Sequence, residues 1–332
     1  GLTMAYEASW WHKEGGTVVC DLCFHHCSLR YGQKGFCGVR MNQKDKGLVS
    51  LNYGFVSSVG IDPVEKKPLF HWNPGTSILS LGSIGCNMRC QFCQNWQIST
   101  CSDTVSLSFL LPSELVDIAK KENIKSVAFT YNEPFIWYEY VLESAIKLKK
   151  EGFSVVVVSN GMINPEPLQE LLPYIDGANI DIKAFDPQTY SFLGGDLRSV
   201  KRTVEAMAKA HVHVELTSLI VPGIHNDVLW LEPLAQWAAS VSPNIVLHIS
   251  RYFPSYKWHH PATPLNMLNE AKERAAQYLP FVYLGNIDTP AVTLCPNCGA
   301  AVIERHGYKT HIINLDEKGN CSLCGNHIVT LT

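Results

Sequence analysis

The chain of 332 residues is 46% hydrophobic and 17% charged, which is enough apolar material for one large domain with small appendages. Its 27 Lys and Arg residues nearly balance its 30 Asp and Glu residues, and the net charge of −3 argues against a surface built for nucleic acid or anionic membranes. The sequence has no apolar run close to the roughly 18 residues of a membrane span, and its start has no signal-peptide pattern. We therefore expect a cytoplasmic protein.

Residues 1–50 are predicted to form an N-terminal four-cysteine module. The candidate ligands are Cys20, Cys23, Cys27 and Cys37. Because the surrounding segment is rich in glycine and basic residues and offers little hydrophobic core, a bound metal would stabilise its fold. Four thiolates can hold zinc or an iron–sulfur cluster, and the sequence does not distinguish the two. His25 or His26 could replace one thiolate at zinc, although surface positions are the favoured interpretation.

Residues 51–75 are predicted to be a connector, which begins with a strand-like alternation over Leu51–Ser58 and continues as the Pro- and Gly-rich stretch Ile61–Gly75. Residues 76–290 then alternate apolar, β-rich runs with helical stretches, which is typical of a parallel sheet covered by helices. Six or seven such units predict an α/β fold, a closed or partly open (β/α) barrel with ligands at the carboxyl ends of its strands. The predicted strands are Ser77–Gly85, Ser126–Tyr131, Ser154–Ser159, Gly177–Lys183, His213–Val221, Asn244–Ser250 and Phe281–Gly285.

The first predicted strand of the barrel ends in a glycine and is followed at once by Cys86, Cys90 and Cys93, spaced C-x3-C-x2-C. Structural zinc takes four protein ligands, so three thiols argue against a zinc site. Three thiolates on a four-iron cube leave one iron without a protein ligand, and that iron can bind a substrate or cofactor. The spacing therefore predicts an open [4Fe–4S] site at the end of this strand.

Polar residues end or follow the next strands of the predicted barrel. They are Asn132 and Glu133, Asn160, Asp181 and Lys183, Glu215 and Thr217, and His248, Ser250 and Arg251. Because the carboxyl ends of parallel strands meet at one rim, these side chains are candidates for contact with a bound cofactor or substrate.

Residues 291–332 are predicted to form a C-terminal zinc-ribbon or rubredoxin-like module. Its ligands are Cys295, Cys298, Cys321 and Cys324. Two C-x2-C pairs, each followed by a glycine, are separated by 22 residues, a pattern that favours zinc. The segment has no dense basic and aromatic stripe, so nucleic-acid binding is not predicted. Only Cys101 of the 12 cysteines lies outside the three groups, and it is predicted to be a small buried hydrophobe. This grouping indicates metal sites in a reducing compartment rather than disulfides.

The C-x3-C-x2-C loop resembles the signature of the radical SAM superfamily. The stretches GCNMRCQFCQNWQIS, YNEPFIWYEY, ANIDIKAF, LIVPGIHND and HISRYFPSY extend this resemblance to the activating enzymes of glycyl-radical proteins, pyruvate formate-lyase activase among them. Three further stretches narrow the resemblance: CDLCFHHC…GQKGFCGVR, DPVEKKPLFHWNPG and CPNC…CSLCG. With them, the chain looks like the AmmeMemoRadiSam system radical SAM enzyme family. The resemblance implies a partial (β/α)6 TIM-like barrel of the radical SAM type, flanked by the two cysteine-rich modules.

The same resemblance implies roles for individual residues. Cys86, Cys90 and Cys93 would hold the [4Fe–4S] cluster, whose open iron binds S-adenosylmethionine (SAM). Phe92 would lie beside the adenine of the cofactor. Asn132 and Glu133 stand where relatives have a G-G-E motif that binds the methionine amino group. The further positions that would contact ribose, carboxylate or adenine are Asn160, Asp181, Lys183 and His248.

The implied reaction is reductive cleavage of SAM to a 5′-deoxyadenosyl radical, which abstracts hydrogen from a protein backbone glycine. The implied partners are a flavodoxin- or ferredoxin-like electron donor and, as partners or substrates, AMMECR-type and Memo-type proteins. Radical chemistry on a small molecule or nucleotide is an alternative. A metal-held binding protein with a degenerate barrel is another, although the intact cysteine loop and the polar rim count against it.

Overall fold

The structure, a computed structural model, describes residues 5–332. The strands are β1 (Tyr6–Glu7), β2 (Trp11–Glu14), β3 (Thr17–Cys20), β4 (Ser28–Leu29), β5 (Arg40–Gln43), β6 (Gly47–Ser50), β7 (Phe55–Val56), β8 (Ser58–Pro63), β9 (Ser77–Gly82), β10 (Ser108–Phe109), β11 (Ser126–Phe129), β12 (Ser154–Ser159), β13 (Gly177–Asp181), β14 (His213–Ile220), β15 (Val246–Arg251), β16 (Val282–Gly285), β17 (Ala291–Leu294), β18 (Ala301–His306) and β19 (Lys309–Ile312). The helices are α1 (Trp96–Ser99), α2 (Pro112–Lys121), α3 (Tyr138–Lys150), α4 (Pro165–Leu171), α5 (Pro187–Phe192), α6 (Leu197–Lys209), α7 (Leu231–Val241) and α8 (Leu265–Ala276).

The central element is an eight-stranded sheet in the order β16-β15-β14-β13-β12-β11-β9-β8. All neighbours from β9 to β16 pair in parallel, and β8 is added antiparallel to β9 at the edge. Within the described residues β8 and β16 do not pair, so the sheet is a partial barrel. This confirms the predicted fold class and all seven predicted barrel strands, whose apolar runs are long enough to be recognised without their partners.

The predicted strand at Leu51–Ser58 is wrong. Residues 51–54 form a turn, because Gly54 adopts a positive φ of 77° and the Asn52 side chain accepts a hydrogen bond from Ser50 Oγ at 3.0 Å. Only β7 follows, paired with β10. The predicted connector also needs correction, since Ser58–Pro63 forms the edge strand β8 of the main sheet.

Residues 64–72, predicted as part of the connector, fill the inner face of the barrel. Val64, Leu69 and Trp72 are fully buried there. Their apolar partners on the sheet are Ile78, Ala128 and Val156. The opposite face of the sheet packs against the helices in the largest hydrophobic cluster of the described residues. The barrel is thus filled by the chain segment that precedes it.

A buried carboxylate fixes this filling segment to the sheet. Glu215, on the inner face of β14, accepts hydrogen bonds from the backbone N–H groups of Phe70 and His71 at 2.9 Å. Its two oxygens also lie 2.8 Å from His213 Nε2 and 2.7 Å from His248 Nε2. Glu215 is fully buried, and although burial opposes its charge, these donors hold its pKa well below the ordinary value.

The C-terminal module is attached through the same segment. Arg305 donates to the Phe70 carbonyl at 2.5 Å, and His71 Nε2 lies 2.6 Å from the Tyr283 hydroxyl on β16. The module itself is the antiparallel sheet β17-β18-β19. Val302 and Ile303 of β18 share a hydrophobic cluster with Tyr283 and its neighbours, so the module packs on the edge of the barrel.

The N-terminal module consists of two small antiparallel sheets, β1-β6-β5 and β2-β3-β4. A buried ion pair attaches it to the barrel: Arg40 of β5 donates to both carboxylate oxygens of Glu139 on α3, at 2.7 and 2.9 Å. Among residues 5–332, no helix has the length and apolar character needed to cross a membrane.

Candidate active site

The three clustered thiols lie in the irregular loop that follows β9. Gly85 opens this loop with a φ of 96°, and a Cβ at this position would lie 2.9 Å from the Cys37 carbonyl oxygen, so only glycine fits. Cys86, Cys90 and Cys93 line a cavity of ≈ 640 Å³ at the carboxyl ends of the strands, as the sequence predicted. No other described cysteine lines it.

The donor set suits an iron–sulfur cube. Thiols that bind a single zinc ion lie within 4.8 Å of one another, and one group of cysteines elsewhere in the described residues does so. The sulfurs of Cys86, Cys90 and Cys93 are more widely separated. Burial raises the pKa of Cys86 and of Cys90, so thiolates at these positions need a metal to offset the cost of charge. Three soft donors around an open cavity therefore fit a cluster that keeps one iron free.

Glu133 follows β11 and lines the same cavity. Its Oε2 accepts hydrogen bonds from Phe135 N at 2.9 Å and Ser159 Oγ at 2.7 Å, and its Oε1 accepts one from Asn160 N at 2.8 Å. Burial raises the pKa of this carboxyl to about 7, although these donors oppose the shift. One lone pair of Oε1 remains for a cationic group in the cavity.

Two predicted amides are engaged with the loop itself. Asn132 accepts a hydrogen bond from Ser83 N at 2.8 Å and donates to the Gly85 carbonyl at 3.1 Å, so its side chain shapes the start of the loop. Asn160 donates to Asn87 Oδ1 at 2.9 Å, and its Nδ2 lies 3.7 Å from Cys86 Sγ. Asn160, at the end of β12, thus lies beside the Cys86 thiol. Asn87 joins this strand end to the cysteine loop.

Asp181 and Lys183, at the end of β13, stand between this cavity and a second one of ≈ 820 Å³. The Lys183 Nζ lies 3.5 Å from Asp181 Oδ2. Burial alone would lower the pKa of Lys183, but attraction to the Cys90 thiolate and to Asp181 raises it above the ordinary value. Phe92 also lines both cavities, so the predicted cofactor residues meet where the two spaces join.

The second cavity lies on the inner face of β14 to β16. His248 lines this cavity and not the first, so it shares a wall with Phe92, Asp181 and Lys183 but not with Asn132, Glu133 or Asn160. Arg305 and Tyr308 of the C-terminal module form part of the wall, beside Arg251 of β15. Sequence reasoning missed Arg305 and Tyr308. They belong to the hairpin of the C-terminal module, and their local sequence does not show that this hairpin packs against the barrel.

The C-terminal cysteines converge on one point. Cys295 Sγ lies 3.5 Å from Cys324 Sγ, Cys298 Sγ lies 3.7 Å from Cys321 Sγ, and all four sulfurs lie within 4.8 Å of one another.

The N-terminal cysteines, by contrast, line a small shared cavity of ≈ 20 Å³. Of the two histidines, His26 is exposed as predicted, whereas His25 is half-buried and lies 2.7 Å from the Asn87 carbonyl oxygen. Cys101 is half-buried beside an apolar cluster.

Comparison with known proteins identifies the class. Residues 81–237 match the sequence model of the radical SAM superfamily. Residues 81–237 therefore form a radical SAM domain, which holds the cysteine loop and the ends of β9 to β14. Such a domain implies an enzyme that binds a [4Fe–4S] cluster and SAM, and radical SAM enzymes generally need an electron donor. The predicted superfamily is confirmed, whereas membership in the narrower AmmeMemoRadiSam family stays a prediction.

One relative aligns over almost the whole chain: uncharacterized protein MJ0808 of Methanocaldococcus jannaschii is 37% identical, with 97% of this chain and 98% of the relative covered. Among solved structures, Streptococcus suis SuiB bound to precursor peptide SuiA shares 14% identity at a TM-score of 0.51, with 67% of this chain and 51% of SuiB covered. A domain of pyruvate-formate lyase-activating enzyme from Bacteroides vulgatus shares 16% identity at a TM-score of 0.42, with 48% of this chain and 98% of that domain covered. At 14% identity the likeness to SuiB supports the fold alone.

Proposed function

We propose that this radical SAM enzyme abstracts a hydrogen atom from the Cα of a glycine in a protein backbone, as glycyl-radical activating enzymes do. The observation that carries the proposal is the second cavity, which opens directly from the space beside the three thiols. Cys86, Cys90 and Cys93 would hold the cluster beside SAM, and with one electron from an external donor the bound groups would supply reductive cleavage of SAM to methionine and the hydrogen-abstracting 5′-deoxyadenosyl group.

The residues of the chain hold and orient these groups. Cys86, Cys90 and Cys93 would bind the cluster, and the free lone pair of Glu133 would accept a hydrogen bond from the SAM amino group. The cationic Lys183 faces the thiolates and Asp181, so it suits the negative charge that a cluster and a SAM carboxylate bring into the site. Phe92, with an exposed fraction of 6%, offers an apolar surface at the junction of the cavities.

The shape of the second cavity favours a peptide. Its volume of ≈ 820 Å³ lies near the upper end of the about 300–1,000 Å³ typical of ligand pockets. The edge strand β16 pairs with β15 alone among the described strands, and residues 284–288 line the cavity. An extended segment can add to such an edge through backbone hydrogen bonds. SuiB, which was solved with a precursor peptide, shows that a related fold accepts a peptide.

We also propose zinc for the C-terminal module, because sulfurs 3.5 and 3.7 Å apart match four thiolates about 2.3 Å from one ion. The zinc would hold the hairpin that carries Arg305 and Tyr308 into the cavity wall. The proposed partners are a flavodoxin- or ferredoxin-like donor and AMMECR-type or Memo-type proteins, any of which can be assayed as a substrate.

The test uses candidate partner proteins labelled with deuterium at glycine Cα. The anaerobically reconstituted enzyme receives SAM, dithionite and the labelled protein, and the 5′-deoxyadenosine formed is analysed by mass spectrometry. Deuterium in 5′-deoxyadenosine, together with a glycyl-radical signal in electron paramagnetic resonance (EPR) spectra, supports the proposal. Formation of unlabelled 5′-deoxyadenosine with every candidate protein contradicts it and favours a small-molecule substrate.

A further inference from the structure

The four N-terminal cysteines line one small cavity, and their sulfurs lie further apart than those of four thiolates on one zinc ion. Cys20 ends β3, Cys23 and Cys27 lie in the turn before β4, and Cys37 precedes β5. All four line the same enclosed cavity of ≈ 20 Å³. Zinc would draw the sulfurs to within about 3.8 Å of one another. Of the described residues only the C-terminal cysteines are that close, and no three of the N-terminal thiols lie within 4.8 Å of one another.

A four-iron cube fits this wider arrangement, because it binds each thiolate to a different iron around a core of eight atoms. The sulfurs of Cys86, Cys90 and Cys93 are also further apart than those of the compact C-terminal group. The N-terminal cysteines therefore resemble the loop cysteines in the separation of their sulfurs, and they include a fourth thiol, which the loop does not have.

The surroundings are built for thiolates. The Phe36 N–H donates to Cys27 Sγ at 3.3 Å, and backbone N–H groups two residues further along the chain donate to Cys20, Cys23 and Cys37.

Arg40 adds a second, independent sign of a ligand. It lines the cavity with an exposed fraction of 2%, and its Nη atoms are taken up by Glu139 and by the Ser9 carbonyl. Its Nε–H is buried without an oxygen or nitrogen acceptor in the described part of the chain, and the Arg40 side chain lies beside the Cys20 thiol. Since unpaired buried donors are uncommon, a sulfide or thiolate of a cluster is a suitable acceptor for this group.

The cavity also adjoins the cysteine loop. Asn87, the residue after Cys86, lies beside Cys23, and its carbonyl oxygen lies 2.7 Å from His25 Nε2. The Asn87 side chain accepts a hydrogen bond from Asn160, whose Nδ2 lies 3.7 Å from Cys86 Sγ. Asn87 therefore lies between the N-terminal cysteines and the cysteine loop.

We propose that Cys20, Cys23, Cys27 and Cys37 hold a second [4Fe–4S] cluster, separated from the cluster of the cysteine loop by the Asn87 segment. This proposal does not depend on which substrate the enzyme uses.

The test is metal analysis of the full chain after anaerobic purification and reconstitution with iron and sulfide. We expect about eight irons and one zinc per chain in the wild type. A variant in which Cys86, Cys90 and Cys93 are changed to Ala should keep about four irons and give the EPR signal of a reduced cube. The double variant Cys20→Ala, Cys23→Ala should also fall to about four irons. Cys101→Ala, a control outside every group, should keep about eight.

A spectroscopic measurement reports on the arrangement independently of activity. With both clusters reduced by dithionite, the wild-type EPR spectrum should be broader than the sum of the spectra of the two variants, because neighbouring spins interact. The proposal of a second cluster would be overturned if the wild type held about four irons and two zincs and the loop variant held no iron. If a wild type of that composition still formed 5′-deoxyadenosine, the proposal of a second cluster would be wrong but the proposed radical chemistry would be unaffected. Should the loop variant not fold, the wild-type iron content and the Cys20, Cys23 variant decide the question.

Discussion

Replacing Glu215 by Gln should destabilise the protein more than any surface change of the same kind. The carboxylate has two acceptor oxygens that serve the N–H groups of Phe70 and His71 and the rings of His213 and His248. An amide presents an NH2 group on one side, so some of these donors lose their acceptor in either orientation. A buried donor left unpaired costs about 1–3 kcal/mol, and with two affected we expect a loss of about 2–6 kcal/mol.

The assay is thermal unfolding of the anaerobically purified full chain, followed by circular dichroism. At roughly 2 °C per kcal/mol for a chain of this size, E215Q should melt roughly 4–12 °C below the wild type. The matched control is Glu232→Gln, which breaks a partly exposed ion pair with Arg274 and should change the melting temperature little. Equal melting temperatures for the two variants would refute the idea that Glu215 fixes the filling segment to the sheet.

The pH dependence follows from the lowered pKa of Glu215. A carboxyl with a lowered pKa in the folded state contributes stability that is present above its unfolded pKa of about 4.3. This stability is lost as the pH falls through the folded value. The difference between the wild type and E215Q should therefore be constant near neutral pH and shrink only below about pH 4.3. A difference that disappears between pH 6 and 7 would assign the effect to the histidines instead.

Three further changes test the site. Cys90→Ala should abolish 5′-deoxyadenosine formation while Cys101→Ala retains it, and activity in the first variant would remove the loop from the cluster site. Glu133→Ala should weaken SAM binding, measured by equilibrium dialysis, more than it lowers the iron content, and unchanged SAM affinity would give Glu133 a purely structural role. Cys298→Ser should lower the zinc content of the chain while its iron content stays at the wild-type level, and a loss of iron instead of zinc would contradict a C-terminal zinc site.

The sequence was sufficient for the barrel strands and for the grouping of the cysteines. Runs such as Val155–Val157 are buried on both faces of a parallel sheet, so their apolar character does not depend on which strand lies beside them. The C-x3-C-x2-C spacing is equally local, since three ligands on one short loop must approach one another wherever the loop lies. Features of this kind are determined by short stretches of chain.

Features that depend on distant contacts were not predictable in the same way. The segment from Val64 to Trp72 reads as a connector because proline and glycine interrupt it, yet it fills the barrel. Glu215 was noted as a rim residue, but its role depends on two backbone N–H groups about 145 residues away in the chain. The choice between zinc and a cube at the N-terminal cysteines depends on the separation of the sulfurs, which spacing along the chain does not determine.

The unpaired edges of the sheet have a consequence for how the barrel can move. In a closed barrel, the hydrogen bonds between the first and last strands fix its circumference. Here β8 and β16 remain apart, and the gap is bridged by a latch of side chains, from His71 to Tyr283 and from Arg305 to the Phe70 carbonyl. Widening the barrel breaks a few such bonds, each worth about 0.5–1.5 kcal/mol, instead of a complete strand ladder. The latch of side chains therefore limits how far the barrel opens, and it also holds Arg305 in the wall of the larger cavity.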